Sequence, residues 1–263
     1  MIKEDVKFAD STVFEGMTSI RAIIKARDEG NNQRQITEVL YDRSALTKNA
    51  KNIGYLRAVS EKYGFSVREA SGSEIQNLTL GSSHGGIIAI ANERPIPRLD
   101  NLSPLKENGF YCMIQGIEDP YNFGYSLRSL YACGCDGIIL PERNWMTAAG
   151  VVARSSAGAS ELFPMFISDP LFAASVFKEK GYKIVCAHEK TDNILGECEI
   201  KLPALLIVGG EKRGISKALI EQADLLVKIN YARSFNASLS AASATTMFAY
   251  EIMRQNLSIA PRE

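Results

Sequence analysis

The sequence predicts an α/β fold in which a small α/β domain precedes a larger domain built on a parallel sheet. Apolar segments of strand length alternate with amphipathic segments of helical length along most of the chain. A proline-rich stretch interrupts this alternation near residue 100. The length of 263 residues is sufficient for two ordinary domains, each with its own core.

The composition is that of a globular protein without a membrane span. Hydrophobic residues make up 46% and charged residues 23% of the chain. No apolar run is long enough to cross a bilayer, and the first residues lack the apolar core of a signal peptide, so a cytoplasmic protein is expected. The 30 basic residues balance the 30 acidic residues, and a nucleic-acid partner would therefore need a local basic patch.

The five cysteines and two histidines do not have the spacing of a metal site. The sequence Cys133-Gly134-Cys135 is too tight for a pair of zinc ligands, and neither His84 nor His188 belongs to a cluster. We expect free, buried thiols and no bound metal. His84 lies in a glycine-rich turn, where a structural role and contact with a partner molecule both stay open.

The proline-rich stretch covers residues 94–105 and marks the predicted domain boundary. It contains three of the nine prolines, which disfavour both a helix and a central strand. We therefore predict one domain at residues 1–98 and a second at residues 99–263. Each has its own apolar periodicity, so residues from 101 onward are expected to fold without the first domain. Before residue 99 there are 14 basic and 12 acidic residues, and after residue 98 there are 16 and 18.

Periodicity predicts the secondary structure of both domains. In the first domain the expected helices cover residues 17–28, 51–63 and 73–80, and the strands cover residues 36–41, 65–68 and 86–91. In the second, strands are expected at residues 110–114, 137–140, 163–166, 183–186, 205–208 and 225–229, and a final helix at 238–255. Strands that alternate with helices predict a parallel sheet with its chemistry at the carboxyl ends of the strands.

Three polar loops follow predicted strands of the second domain. In the first loop, Asn122 can cap the next helix, and the guanidinium of Arg128 lies about a turn and a half further on. This pattern is also typical of an ordinary capped helix with a surface arginine. In the second loop, Gly209 and Gly210 precede Glu211, whose carboxylate would repel a phosphate and favours a cationic or amino-bearing ligand.

The third loop, residues 230–242, packs small and polar residues directly before an apolar helix. A simple helix cap explains this loop equally well when it is taken alone. Taken together, in this order and spacing, the three loops are much more specific than any one of them.

The three loops resemble the motifs of the SpoU (TrmH-like) RNA methyltransferases of the SPOUT superfamily. The motifs are Asn-x-Gly-x-x-x-Arg at residues 122–128, Gly-x-Glu-x-x-Gly at 209–214, and Ser-Leu-Asn-x-Ser at 234–238. The segment SSAGASELFP at residues 155–164 also resembles the family. Residues 14–87 are similar to the ribosomal-protein-like RNA-binding domain that many members carry.

This resemblance implies a fold and an activity. The expected fold has a deep trefoil knot in the C-terminal domain, and the expected activity is S-adenosyl-L-methionine (SAM)-dependent 2′-O-methylation of ribose in RNA, in ribosomal RNA more than in tRNA. It also implies a homodimer through the catalytic domain. The residues implied at the cofactor are Gly209, Gly210, Gly214, Ile229 and Phe235. Those implied in catalysis are Arg128, Asn122, Glu211, Ser234 and Asn236.

A guanidinium stays protonated in proteins, so we expect Arg128 to stabilise the oxygen that loses its proton, or to clamp a phosphate, and not to act as a base. The sequence departs from the family at Phe235, where leucine is usual, and between Ile229 and Ser234, where the family commonly has about three more residues. An RNA-binding protein that has lost catalysis is therefore the alternative. An unrelated nucleotide-binding enzyme is disfavoured by Glu211.

Overall fold

A computed structural model describes residues 12–80, 84–117, 119–142, 144–210 and 212–256. Its contacts divide the chain into two compact units. The first unit contains the residues up to Pro95 together with Trp145–Leu162, and the second contains Ile96–Asn144 and the residues from Phe163 onward. The segment Trp145–Leu162 thus packs with the first unit, although it lies within the predicted second domain. The division at residue 98 stays a prediction about domains.

The first unit is a small mixed α/β structure. Its strands are β1 (Val13–Glu15), β2 (Ile36–Asp42), β3 (Ser66–Ala70) and β4 (Ile87–Ala91), in the order β1-β4-β2-β3. Strands β2 and β3 are parallel, whereas β4 is antiparallel to β1 and β2. Its helices before residue 95 are α1 (Gly16–Asp28), α2 (Leu46–Tyr63) and α3 (Gly72–Leu78). Helix α2 ends at Gly64, whose φ of 72° is left-handed and favours glycine.

The second unit is built on a six-stranded, fully parallel sheet. Its strands are β5 (Phe110–Gln115), β6 (Gly137–Leu140), β7 (Met165–Ile167), β8 (Lys183–Ala187), β9 (Ala204–Gly209) and β10 (Leu225–Val227). The order is β10-β8-β9-β5-β6-β7, so β5 and β9 are central neighbours. Their side chains are almost all buried, as expected for a parallel sheet covered on both faces. The predicted parallel α/β fold is confirmed.

The remaining helices lie between these strands or after the last one. In chain order they are α4 (Pro120–Ala132), α5 (Ala149–Ser155), α6 (Ala159–Leu162), α7 (Pro170–Glu179), α8 (Lys217–Gln222) and α9 (Ala241–Asn256). Helices α5 and α6 belong to the segment that packs with the first unit. No helix in the described parts of the chain is long and apolar enough to cross a membrane.

The final helix α9 packs on α4. The Thr246 hydroxyl donates a hydrogen bond to the Ser129 hydroxyl across this contact, at 2.7 Å. At its other end, the Asn256 side chain donates to the backbone of Ile200, at 2.7 Å. Helix α9, which follows the third loop, is thereby held at residue 246 on the helix that carries Arg128 and at its last residue on the backbone of Ile200. The trefoil knot stays a prediction.

Candidate active site

The first loop leaves β5 and enters α4 through an aspartate cap. The Asp119 carboxylate accepts hydrogen bonds from the backbone N–H groups of Tyr121 and Asn122, at 2.8 and 2.9 Å, and Pro120 occupies the first turn. The expectation that Asn122 caps this helix is wrong. The first N–H groups of a helix have no partner within the helix, and Pro120 has no N–H to leave unpaired. Asp119 followed by Pro120 therefore begins this helix, and Asn122 lies inside its first turn.

Arg128 lies on the solvent side of α4. Its side chain is exposed and makes no hydrogen bond or ion pair with the residues that the structure describes. The neighbouring Ser126 and Leu127 are fully buried, so the helix itself is firmly held. Arg128 is therefore a cation on a rigid element, and no described carboxylate neutralises it.

The second loop follows β9 and contacts the first loop backbone to backbone. A Cβ atom added to Gly210 would lie 1.9 Å from the carbonyl oxygen of Gly116, and one added to Gly209 would lie 2.5 Å from the carbonyl carbon of Gly214. Any side chain at these two positions would clash with main-chain atoms. Glycine is thus required for the two loops to meet at the carboxyl ends of β5 and β9.

The same junction is closed by polar backbone contacts. The N–H of Gly214 donates to the carbonyl of Gly210, at 3.0 Å, which folds the second loop into a tight turn. The N–H of Ser216 donates to the side chain of Gln115, the last residue of β5, at 3.4 Å. Gln115 and Gly116 were not in the predicted site. The sequence signal that could have identified Gly116 is its position as a glycine directly after a buried strand. Glu211 lies outside the described residues.

The third loop is open in the single chain. Ser234 and Asn236 are exposed and make no hydrogen bond with a described residue, and Phe235 is 60% exposed. The Phe235 ring packs at 6.2 Å from the ring of Tyr231, whose hydroxyl accepts a hydrogen bond from the Leu239 N–H, at 3.2 Å. These contacts curl the shortened loop upon itself.

Ile229, two residues after β10, is half-buried. The preceding Lys228 exchanges backbone hydrogen bonds with Asn193 and Leu195, at 2.9 and 2.8 Å, which pairs this segment with the loop that follows β8. The structure therefore joins the first two predicted loops directly. It places the start of the third loop at the same edge of the sheet and leaves its tip exposed.

The described thiols are mostly buried, whereas His188 directly follows β8 at the same edge of the sheet, where its N–H donates to the carbonyl of Val227, at 2.9 Å. Cys112, Cys133, Cys135 and Cys186 are buried free thiols, and Cys198 is a half-buried one. Burial raises the pKa of the Cys186 thiol to about 12, so it stays protonated at neutral pH. Nδ1 of His84 accepts from the Gly86 N–H, at 3.0 Å, and Nδ1 of His188 from the Lys190 N–H, at 3.1 Å. The described residues contain no group of three or more potential metal ligands.

A sequence profile of the SpoU rRNA Methylase family matches residues 109–250, which is more than half of the chain and includes all three loops. The chain belongs to this family. The predicted enzyme class, an RNA methyltransferase that depends on SAM, is confirmed at the level of the family.

Curated relatives match over most of this SpoU-family chain. The 23S rRNA (guanosine-2'-O-)-methyltransferase RlmB of Shewanella oneidensis is 29% identical over 203 residues, which cover 76% of this chain and 82% of the relative. A putative TrmH family tRNA/rRNA methyltransferase of Staphylococcus aureus is 26% identical, with coverage of 94% and 97%.

Two solved structures share the fold. An AdoMet-bound rRNA methyltransferase from Sinorhizobium meliloti has a TM-score of 0.77 at 23% identity and covers 94% of this chain and 88% of its own. The SpoU methyltransferase AviRb from Streptomyces viridochromogenes has a TM-score of 0.74 at 22% identity, with coverage of 92% and 89%. At this identity the structures establish the fold alone.

The glycine junction gives a testable prediction. Gly210→Ala should weaken SAM binding by about tenfold or more and destabilise the fold by about 1–3 kcal/mol, because backbone must move to admit the methyl group. Isothermal titration with SAM and urea unfolding measure both effects. Gly54→Ala is the control, since Gly54 lies in helix α2 with open space around it and should gain about 0.5–1 kcal/mol. Parental SAM affinity in Gly210→Ala would contradict a role for the junction.

Proposed function

We propose that this SpoU-family chain transfers the methyl group of SAM to a ribose 2′-hydroxyl of ribosomal RNA. The observation that carries the proposal is the contact between the Gly116 and Gly210 loops, at the carboxyl ends of adjacent parallel strands, next to the helix that bears Arg128. The Shewanella relative is named for 2′-O-methylation of guanosine in 23S rRNA, which supports both the ribose and ribosomal RNA as the target. The staphylococcal name spans tRNA and rRNA, so the choice of rRNA is the finer part of the proposal.

The residues at the sheet edge fit a nucleoside cofactor. The junction offers backbone groups at Gly209 and Gly210 with no side chain in the way, and Ile229 and the exposed ring of Phe235 offer apolar surface for a flat base. We propose that these four residues and Gly214 hold SAM. When bound, SAM supplies a methyl group on a positively charged sulfur that is already a good leaving group.

The demanding partner in this reaction is the ribose hydroxyl, which has to lose a proton as its oxygen attacks. The guanidinium of Arg128 is permanently charged and has planar N–H donors, so it stabilises the developing alkoxide or holds the adjacent phosphate. We propose that Asn122, Glu211, Ser234 and Asn236 orient the ribose and Arg128. Four of the five thiols are buried, which does not favour a mechanism that uses a cysteine.

The alternative, an RNA-binding protein without catalysis, is less consistent with the chain. The observation in favour of this alternative is the shortened third loop. The loop nevertheless retains Ser234 and Asn236 at an exposed tip, and Asn122 and Arg128 are retained on a rigid helix. In this proposal the first unit binds the RNA, the second performs the transfer, and the cytoplasm is the compartment.

Methyl transfer tests the proposal. The full chain is incubated with SAM that carries a labelled methyl group and with deproteinised 23S rRNA, 16S rRNA or tRNA. A ribose 2′-O-methyl group blocks alkaline cleavage of the adjacent bond, so the site shows as a gap in an alkaline ladder. Label in rRNA at such a gap is the expected result. Label on a base, or on tRNA alone, would overturn the corresponding part of the proposal.

We also propose that the protein is a homodimer through its catalytic domain. Both of the packed helices α4 and α9 carry exposed apolar side chains: Tyr125 is 49%, Met247 43% and Tyr250 54% exposed. A second copy would remove this surface from water.

Light scattering should give twice the monomer mass of 28.9 kDa at micromolar concentration. The double variant Met247→Glu/Tyr250→Glu should shift the mass towards the monomer, because it places charges on that surface. A parent protein that is monomeric at this concentration would contradict the proposal.

A further inference from the structure

Helices α1 and α2 of the first unit lie side by side and run in the same direction. Near their beginnings, the Arg21 guanidinium donates to the Asn52 side chain, at 3.2 Å, and its carbon lies 5.2 Å from the ring centre of Tyr55. Near their ends, the Lys62 ammonium donates to the Asp28 carboxylate, at 2.7 Å. Charged residues at the two ends of this helix pair therefore form two separate groups.

Two ion pairs lie at the carboxyl ends of these helices. Lys62 bonds to Asp28, and Lys25 lies 3.6 Å from Glu29. The amino-terminal parts are different. Residues 16–24 and 46–57 contain no acidic residue and four basic residues: Arg21, Lys48, Lys51 and Arg57.

Three of these cations form one exposed surface. Lys48 and Lys51 are one helical turn apart on α2, on the same face as Asn52 and Tyr55, which hold Arg21. All three basic side chains are exposed, and none forms an ion pair with a residue that the structure describes. We call Arg21, Lys48 and Lys51 the α1/α2 basic face.

The nearest acidic residues in sequence have other partners. Glu15, directly before α1, is buried and bonds to Arg154, at 2.6 Å. Asp42, just before α2, accepts a hydrogen bond from the backbone of Ser44, at 2.8 Å. The positive charge of the basic face is thus available to a ligand.

Arg21 is also held in place before any ligand arrives. The Asn52 oxygen and the Tyr55 ring restrict its guanidinium, which lowers the entropy lost when a bidentate contact with a phosphate forms. An arginine held in this way and two exposed lysines on the neighbouring helix fit the spaced negative charges of a nucleic-acid backbone.

We infer that the α1/α2 basic face binds the backbone phosphates of the RNA substrate. The inference rests on the proposed function, in which the substrate is RNA. Because the net charge of the chain is zero, binding to RNA requires a local basic patch, and this face supplies one. Contacts to phosphates position the RNA and do not select its sequence.

The test compares two double variants of the full chain. Lys48→Ala/Lys51→Ala removes two charges from the basic face, whereas Lys180→Ala/Lys183→Ala removes two from exposed positions near the start of β8, at the edge of the sheet opposite the three loops. Binding of 23S rRNA is measured between about 50 and 200 mM salt. Lysine-to-alanine changes keep the helix propensity of α2, and circular dichroism checks the fold.

The basic-face variant should bind about tenfold more weakly at the middle of this range, and its plot of log affinity against log salt should be less steep by about 1 per lysine. SAM affinity should be unchanged. Arg21→Gln is a third variant and should weaken RNA binding several-fold. The control pair should match the parent.

The results of this test distinguish the inference about the α1/α2 basic face from the proposed methyl transfer. A basic-face variant with the parental affinity and salt slope overturns the inference, and so does an equal loss in the control pair. A parent protein that methylates rRNA while the basic-face variant binds normally overturns only the inference. A parent that binds rRNA through this face but transfers no methyl group overturns only the proposed function.

Discussion

Arg128→Ala should lower the rate of methyl transfer by about a hundred- to a thousand-fold, which is the usual loss when one charge contact to a transition state is removed. SAM affinity should stay within a few-fold of the parent, because the glycine junction that we assign to the cofactor contains no part of Arg128. The variant should also keep the parental unfolding free energy, since Arg128 is exposed and has no polar partner among the described residues.

The combination of these three results identifies a catalytic role. Arg128→Lys should recover only part of the rate, because an ammonium lacks the planar pair of donors. Arg98→Ala is the matched control: Arg98 is an exposed arginine of the same unit whose ion pair with Glu142 lies on the surface. Single-turnover transfer to rRNA measures the rate of methyl transfer, and titration with SAM measures the affinity for SAM. Turnover by Arg128→Ala close to that of the parent would remove Arg128 from the mechanism.

The strands of the catalytic unit were predictable because burial on both faces leaves a continuous apolar run. Residues 137–140 were predicted with the bounds that the structure has, and residues 110–114 lack only Gln115. Strand β1 was missed since its three residues are too few to show an alternation. The last helix begins at Ala241 and not at residue 238, because the Ser240 hydroxyl accepts from the Ser243 N–H, at 3.1 Å, and caps it there.

The candidate site was predictable where it follows strand ends, and less so where distant backbones meet. The order of strands could not be inferred from the sequence, so the contact between Gly116 and Gly210 was not foreseen. Local periodicity also does not tell which core a helix covers. Ala149 and Ala153 of α5 join the core of the first unit, next to Phe14 and Ile23, although the chain on both sides of this segment belongs to the second.

A buried ion pair fixes that segment and gives the second large effect. The Arg34 Nε donates to Glu161 Oε2 at 2.9 Å, and the side chains are 2% and 0% exposed. The Asn32 side chain donates to the same oxygen, at 2.5 Å. Arg34→Met should destabilise the protein by about 3–5 kcal/mol, because it leaves a carboxylate in the core without its cation. Urea unfolding measures the loss.

A double-mutant cycle separates the charge from the packing. Glu161→Leu should cost a similar amount, since it leaves Arg34 and the neighbouring Arg94 buried without a counterion; burial already lowers the pKa of Arg94 to about 10, while Glu161 opposes that shift. The combined variant Arg34→Met/Glu161→Leu should recover much of the loss, because a matched apolar pair costs no desolvation of charge. Losses that simply add would show that the two side chains act independently.

The same pair argues against the expectation from the sequence that residues from 101 onward fold without the first domain. A chain that begins at residue 101 would keep Glu161 but lose Asn32, Arg34 and Arg94, whose guanidinium donates to the carbonyl of Ser160, at 2.8 Å. It would also lose Ala22, whose methyl group leaves so little room beside Gly158 that a Cβ there would lie 2.5 Å away. The segment 145–162 would then expose a buried carboxylate and an apolar face. We therefore expect the truncated chain to aggregate or to unfold locally. In that chain, Glu161→Leu should remove the cost of the unpaired carboxylate, but it should not remove the cost of the exposed apolar face.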